Sequence, residues 1–454
     1  MITREKNSKA SRVVVVGMGI SGRSVCELLL QQDCQVIATD IRNREQFGGI
    51  LDALEKKGCI LRLGGHILQD FLSADQIIVS PGVPLDLEPL AEAGRKGIEI
   101  VGELEWAWRQ VKIPTVAVTG TNGKTTTTSL IGEMLKASGK NVFVGGNIGT
   151  PLSKWILDSN HADVLVLEVS SFQLDTALSF SPEVGVLLNT TEDHLDRYED
   201  FSAYVRSKLS LFTRQRSTDI AIINADDPIC LDGSSGIRSR LLLFSCKDHG
   251  LQGSLRDRQA VINIPWQAPF ALSLEGTHLQ GIHNAGNILA AALASTVMNA
   301  APSAIQQVIQ NYRGLPHRVE WVRTWRGIDF YDDSKGTNVG AVIKAIENFD
   351  RPILLLLGGR DKLGSYRPVG EALKLTGKRA FVFGEAAQRI LKELKEWLPT
   401  HSFLGLEGAF EAALKHADAG DVILLSPACS SFDQYESYAQ RGDHFKHLAM
   451  QLID

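Results

Sequence analysis

At 454 residues, with a formal net charge of −5 and a pI near 6.2, the chain exceeds what one hydrophobic core usually holds and has no electrostatic reason to seek nucleic acid or an anionic membrane. Six scattered cysteines (Cys26, Cys34, Cys59, Cys230, Cys246, Cys429), with no Cys-x-x-Cys pair and no metal-like Cys/His spacing, exclude a disulfide framework and read as reduced, mostly buried thiols. The charged start Met1–Lys6 has no long apolar run after it and no window of about 18 apolar residues occurs, so a soluble, cytoplasmic protein of roughly two to four domains is expected.

From the N-terminus, Arg12–Val16 is a β-branched run that ends in Gly17-Met18-Gly19-Ile20-Ser21-Gly22 and passes into an apolar-periodic helix. Strands follow at Gln35–Thr39, stopped by Asp40, at Gln76–Ser80, stopped by Pro81-Gly82, and at Ile98–Val101. Strand and helix alternate, which predicts a parallel, doubly wound, Rossmann-like domain over residues 1–103.

A second α/β domain is expected over 104–314. Its strands begin at Pro114 and continue at Asn141–Val144, Val164–Val169, Val184–Asn189 and Ile220–Asn224, and an alanine-rich helix spans Asn287–Asn299. Cys230–Glu275 mixes short apolar runs with Gly and Pro and reads as an antiparallel β excursion. A third, again Rossmann-like α/β domain over 315–454 shows strands at Ile328–Tyr331, Pro352–Leu357, Ala380–Phe383 and Asp421–Ser426. No repeat or low-complexity tract interrupts the three.

The residues that carry chemistry sit at strand ends. Val116–Thr119 runs into Gly120-Thr121-Asn122-Gly123-Lys124-Thr125-Thr126 and then a helix, the pattern of a triphosphate cradle. Glycine frees backbone N–H groups for phosphate oxygens, a Lys124 ammonium neutralises β/γ charge, and the Thr125 hydroxyl suits Mg²⁺. The full P-loop spacing would place glycine at 118, where valine stands. Glu168 closes an apolar strand, where a buried carboxylate needs a partner such as Mg²⁺ bridging nucleotide phosphates. After the next strand, Asn189–Arg197 packs acids around His194, which can ligate metal or hold a substrate oxygen. Gly17–Gly22, with Asp40 eighteen residues beyond it, fits the dinucleotide fingerprint, but another ligand with a diphosphate and a ribose can use the same helix N-terminus.

Four strings in order, Val118–Thr125, His283-Asn284-Ala285-Gly286-Asn287, Leu315-Pro316-His317-Arg318 and Asp333-Ser334-Lys335-Gly336-Thr337-Asn338, together resemble the Mur ligase family of ATP-dependent amide-bond ligases. Gly145-Gly146-Asn147-Ile148-Gly149, the Gly17–Gly22 turn, Leu425–Tyr435 and Arg441-Gly442-Asp443 resemble the D-glutamate-adding branch of that family. The resemblance covers essentially the whole chain. It implies that UDP-N-acetylmuramoyl-L-alanine and D-glutamate are joined through an acyl phosphate, with ATP going to ADP and phosphate, in peptidoglycan precursor synthesis. A monomer is expected.

By the same resemblance Gly120–Thr126, Asn287, Arg318, Asp333 and Lys335 serve ATP, with Arg318 near the γ-phosphate and Asp333 at the ribose. Gly19, Ile20, Ser21, Asp40, Arg42, Ser80, Asn147 and Ser170 are implied to hold the UDP-substrate, and Thr337, Lys362, Ser431, Phe432 and Tyr438 to hold D-glutamate. Lys124, Glu168, His194 and Lys208 form the implied catalytic set, and Thr125, Glu168, His194 and Lys208 the implied ligands of two Mg²⁺ ions. Lys208 matches the family's carbamylated lysine, whereas on pattern alone it is a solvated helix residue. Rival readings are a sibling ligase for another amino acid, a folate-polyglutamylating relative, an NAD(P)-dependent oxidoreductase that leaves Lys124-Thr125 unexplained, and a non-catalytic ATP-binding protein.

Overall fold

The computed structural model describes residues 11–191, 197–279, 281–361 and 365–453. They form two compact units, one running through Leu272 and including Asn287–Gln306, the other made of Ser273–Gly286 and the chain from Gln307 onward. Three α/β sheets supply the framework.

The first sheet contains β1 (Arg12–Val16), β2 (Gln35–Asp40), β3 (Ile60–Leu63), β4 (Gln76–Val79) and β5 (Glu99–Gly102), in the order β3-β2-β1-β4-β5. Every pair is parallel. Val13–Val16 are buried, as expected for a central strand covered on both faces. The order reverses between β1 and β4, so a crevice opens beyond their C-terminal ends, where the Gly17 turn follows β1 and Ser80 follows β4.

The second sheet holds β6 (Thr115–Thr119), β7 (Val142–Gly146), β8 (Val164–Glu168), β9 (Val184–Leu187), β10 (Ile220–Asn224), β11 (Arg240–Ser245), β12 (Gly253–Arg256), β13 (Gln259–Ile262) and β14 (Phe270–Ser273), in the order β14-β13-β12-β11-β10-β9-β6-β8-β7. Cys230–Glu275 therefore extends the same sheet and is antiparallel only in part. β11 pairs parallel to β10 and β12 parallel to β11, and the direction reverses between β12 and β13. Short apolar runs broken by Gly-rich turns carry no sign of strand direction, so only pairing could decide it. The alanine-rich helix begins earlier than expected, spanning Ile282–Val297.

The third sheet, in the second unit, holds β15 (Glu320–Trp325), β16 (Ile328–Asp332), β17 (Ile353–Gly358), β18 (Gly377–Phe383), β19 (Thr400–Phe403) and β20 (Val422–Leu425), in the order β15-β16-β20-β17-β18-β19. Only β15 runs antiparallel, beside β16. The strands that sequence patterning does not foresee, β3, β15 and β19, all lie at sheet edges and are only partly buried, so they lack the apolar run that marks a central strand.

Two carboxylates at the end of the first sheet fix the second sheet to it. Glu105 is fully buried and accepts hydrogen bonds from the Ser179 and Phe180 N–H groups and the Ser179 hydroxyl, while Glu103 accepts one from the Ser153 N–H. All six cysteines are unbridged thiols, four of them buried.

Candidate active site

In the second sheet β6 lies between β8 and β9, so the three strand ends deliver the glycine loop, Glu168 and Asn189 to one edge. Gly123 caps the helix Lys124–Ala137 with a positive φ of 81°, and a Cβ there would lie 2.3 Å from Asn287 Oδ1. Only glycine fits. Asn287, which also accepts a hydrogen bond from Thr127 Oγ1, is thus brought against the loop from a distant helix.

Asn189 acts as a mould for the loop. Its carbonyl accepts the Thr121 N–H at 2.9 Å and its Oδ1 the Asn122 N–H at 2.8 Å, while its Nδ2 donates to Asn122 O. Thr121 Oγ1 lies 3.2 Å from the Tyr204 hydroxyl. Lys124 Nζ donates to Gly120 O and Thr121 O at 2.7 and 2.8 Å, and Lys208 Nζ donates to the same Gly120 O at 2.9 Å. Two amino groups converge on one carbonyl, an arrangement suited to an arriving anion. Lys208 is 1% exposed, with Nζ 4.4 Å above the Tyr204 ring, so it is not the solvated residue that helical pattern suggests.

Glu168 is 2% exposed. Asn147 Nδ2 donates to its Oε1 at 2.8 Å, and among the described residues its Oε2 has no hydrogen-bond partner. A buried carboxylate oxygen left without a donor is costly unless a cation serves it, so the residues present fit a Mg²⁺. Thr125 and Thr126 lie in the first turn of the adjoining helix, and Ser170 caps the short helix after β8 by accepting from the Gln173 N–H. His194 lies outside the described residues.

The Gly17 turn of the first sheet is built differently. Asp40 Oδ2 accepts from Met18 N–H at 2.7 Å and from Arg42 Nη2 at 2.8 Å, and Oδ1 accepts from Arg42 N and Nε. Four donors fill the four acceptor positions of a carboxylate, leaving none for a ribose hydroxyl, which removes the basis of the dinucleotide reading. Burial pushes the Asp40 carboxyl up, but the Arg42 and Met18 bonds outweigh it and hold it below its ordinary value. Ser80 Oγ donates to Gly17 O at 2.9 Å, and a Cβ at Gly22 would meet Gly17 O at 1.8 Å. Gly19 and Ile20 are exposed, Ser21 is partly buried, and Gly19 gives the helix Ile20–Gln31 no side-chain cap, so its first turn is open to an anion.

In the second unit the ends of β16 and β20 bring together Asp333 and Ser426, whose hydroxyl donates to Asp333 Oδ2 at 2.6 Å. Burial, with Asp332 adding to it, raises the Asp333 carboxyl to about 7. Lys335 Nζ lies 5.8 Å from the Tyr438 ring, and Lys335 N–H donates to His317 O in the turn that carries Arg318. Thr337 follows the Asp333–Gly336 turn, its N–H donating to Lys335 O; Ser431 is buried, and Phe432 and Tyr438 are exposed. Lys362 lies outside the described residues.

Sequence reasoning assigned no role to Asn189, Tyr204 or Arg441. The Arg441 guanidinium is fully buried and donates to Ser334 Oγ and to the Ser334, Gly358 and Cys429 carbonyls, so it ties together three segments around the β16, β17 and β20 ends. Burial lowers it to about 10. An arginine inside the Tyr438–Met450 helix looks like a surface residue until its neighbours are known.

Comparison with known proteins agrees with this layout. The family model for the Mur ligase MurD-like N-terminal domain matches residues 11–102, that for the Mur ligase middle domain residues 118–295, and that for the Mur ligase glutamate ligase domain residues 317–429. The chain is 44% identical over 442 residues to the UDP-N-acetylmuramoylalanine--D-glutamate ligase of Desulfosudis oleivorans, covering 97% of this chain and 96% of the relative. It is 41% identical over 439 residues to the enzyme of the same name from Geotalea daltonii, covering 96% of each. Among solved structures, the UDP-N-acetylmuramate-alanine ligase MurC of Thermotoga maritima superposes with a TM-score of 0.56 at 18% identity, covering 97% of this chain and 99% of that one. MurF ligase of the same organism, in complex with ADP, gives 0.55 at 18% identity, covering 92% and 96%. With all three family segments matched in order along nearly its whole length, the chain belongs to the Mur ligase family.

Proposed function

We propose that this chain joins D-glutamate to UDP-N-acetylmuramoyl-L-alanine, with ATP converted to ADP and phosphate, as a step of peptidoglycan precursor synthesis. The observation that carries the reading is the edge of the second sheet, where a moulded phosphate loop, two converging lysines and an unsatisfied buried carboxylate meet. Relatives of the same length bear the name of that ligase.

A carboxylate resists attack by an amine, so its oxygen first takes the γ-phosphoryl group of ATP, and ADP leaves. The amine of D-glutamate then attacks the carbonyl carbon of the acyl phosphate, loses a proton and expels phosphate as the amide forms. Bringing two anions together is the electrostatic problem of the first step, and preorganised donors answer it. The Thr121–Thr125 backbone and Lys124 receive the triphosphate, Lys124 exchanging its loop carbonyls for phosphate oxygens. Thr125 and Glu168 would hold a Mg²⁺, and a second would engage His194 and a carbamylated Lys208. Bound Mg²⁺ would neutralise phosphate charge and polarise the transferred group. A buried amino group beside a phosphate loop favours such a modification, because a carbamate would replace a competing cation with a hard oxygen ligand.

In this reading the open first turn of Ile20–Gln31 and Arg42 take the uridine diphosphate, with Asp40 acting through Arg42, and Asn147 and Ser170 face the acceptor end. Arg318, Asp333, Lys335 and Asn287 serve the nucleotide, and Thr337, Lys362, Ser431, Phe432 and Tyr438 the amino acid. The reading takes the enzyme to be a cytoplasmic monomer. Among the described residues no helix is long and apolar enough to cross a membrane. Phosphate release is measured with ATP, UDP-N-acetylmuramoyl-L-alanine and single amino acids. Release that requires D-glutamate is the expected result, and equal or greater release with L-lysine, meso-diaminopimelate or L-glutamate overturns the assignment.

A further inference from the structure

Arg197 has no part in the reading above, and its contacts cross the first unit. Its guanidinium donates to Gly82 O at 3.3 Å and to Val83 O, carbonyls of the turn that follows β4. That turn shapes the Gly17 loop: Ser80 donates to Gly17 O, Val83 N–H donates to Ser80 O, and a Cβ at Gly17 would lie 3.0 Å from the Val83 side chain. The guanidinium also lies over the Phe172 ring, 4.6 Å from its centroid, in the short helix that directly follows Glu168–Ser170.

From Phe172 a ladder of rings leads to the phosphate loop. Phe172 stacks on Tyr198 at 6.0 Å and 18°, Tyr198 packs on Tyr204 at 5.4 Å, and the Tyr204 hydroxyl lies 3.2 Å from Thr121 Oγ1. Tyr198 is held in register by its hydroxyl bond to Asp175 Oδ2 at 2.7 Å, whose other oxygen accepts from Ser207. A planar fork that donates to two carbonyls from its edge while its carbon lies over a ring has few alternative poses, unlike a lysine ammonium.

We infer that Arg197 is a positioning residue that sets the distance between the diphosphate turn of the first sheet and the phosphate loop of the second, and so places the acceptor carboxylate for phosphoryl transfer. The inference rests on the proposed ligase reading, since it needs one substrate anchored at the Gly17 turn and reacting at the Gly120 loop. Misplacement of a reacting group by about an ångström costs on the order of a hundredfold, so loosening this joint slows transfer without touching the ATP contacts. Charge alone does not carry the effect; the fork does.

The test uses the full-length enzyme with ATP, D-glutamate and UDP-N-acetylmuramoyl-L-alanine. For Arg197→Met the expected result is a KM for the UDP-substrate raised about tenfold and a kcat lowered about tenfold, with KM for ATP within about twofold of wild type. Arg197→Lys keeps the charge and recovers only part of the loss. A KM for the UDP-substrate and a kcat both unchanged, or a KM for ATP that rises by the same factor, overturns the inference. Should Arg197→Met fail to fold, Phe172→Leu removes the ring under the guanidinium and is expected to shift the same two parameters by about threefold in the same direction; no shift overturns it. Melting-temperature shifts with UDP and with ADP need no turnover: the UDP shift falls in Arg197→Met while the ADP shift persists, and equal retention of both overturns the inference. Wild type that shows the UDP shift but no D-glutamate-dependent phosphate release sinks the ligase reading instead.

Discussion

The first unit contains two glycine turns that follow a central strand and open a helix, yet they are held by different kinds of group. At Gly17 the anchor is a carboxylate: Asp40 spends all its acceptor capacity on Met18 N–H and Arg42. At Gly120 the anchors are the neutral amides of Asn189 and Asn287, and the charges present are lysines leaning on the loop's own carbonyls. The first turn is therefore electrostatically paired before any ligand comes, and in the proposed reading it would meet a diphosphate with backbone N–H groups and the edge of an arginine already paired. The second keeps a charge that a triphosphate can take over. Such an asymmetry suits a site that binds one substrate as a handle and performs phosphoryl transfer on the other.

The sharpest way to break this comparison is to remove the transferable charge. Lys124→Ala is expected to lower kcat about 10³-fold in the phosphate-release assay, whereas Arg42→Ala raises the KM for the UDP-substrate about tenfold and leaves kcat nearly intact. A Lys124→Ala enzyme within tenfold of wild type would erase the distinction between the loops.

Steric probes come next. Gly22→Ala drives a Cβ to 1.8 Å from a backbone oxygen, which cannot yield, and is expected to cost about 3 kcal/mol or more and a clear drop in Tm. Gly123→Ala meets a side-chain oxygen at 2.3 Å and requires a positive φ, so it is expected to lose about 1–2 kcal/mol of stability while weakening ADP binding, read by calorimetry. Equal effects on Tm would show that the two turns are equally rigid.

The Asp40 anchor predicts a pH dependence of definite sign. Its folded carboxyl titrates below the ordinary value of about 3.9, so the stabilisation is present above that value and is lost as pH falls through the lower folded one. Asp40→Asn should therefore be less stable than wild type by about 1–3 kcal/mol at pH 7, and the gap should close as pH falls through the lowered folded value, in parallel urea titrations. A gap that persists unchanged at low pH would show that packing, not charge, holds the turn. The smallest effect is expected from Ser80→Ala, about 1 kcal/mol in stability with a slight rise in the KM for the UDP-substrate, because it deletes one hydrogen bond to Gly17 O.

How much of this was legible in the sequence depends on where each residue's partners come from. The phosphate loop, Glu168 and the Gly17 turn were readable because a strand run, a glycine and a polar residue lie adjacent in the chain and the parallel α/β pattern fixes which end of the strand they occupy. Lys208 was not readable from pattern: a lysine in a helix is solvated by default, and only the packing of Tyr204 and Gly120 around it reveals its burial. Asp40 was visible as an acid in the right place, but the inward turn toward Arg42 was not. The edge strands β3, β15 and β19 and the parallel pairing of β11 escaped for a related reason, since partial burial blurs alternation and a single strand carries no record of its neighbour's direction.

The sequence by itself determined the alternation of strands and helices, the two glycine turns and the chemical type of the groups beside them, because periodicity and turn chemistry are local properties of the chain. The tertiary structure alone decided which of those groups are satisfied and which are left wanting: Asp40 filled, Glu168 Oε2 unpaired, two lysines on one carbonyl, Arg197 laid between a turn and a ring. Satisfaction of a buried polar group depends in part on partners far along the chain, such as Met18 for Asp40, Asn147 for Glu168 and Gly120 for Lys208, and no local rule counts them.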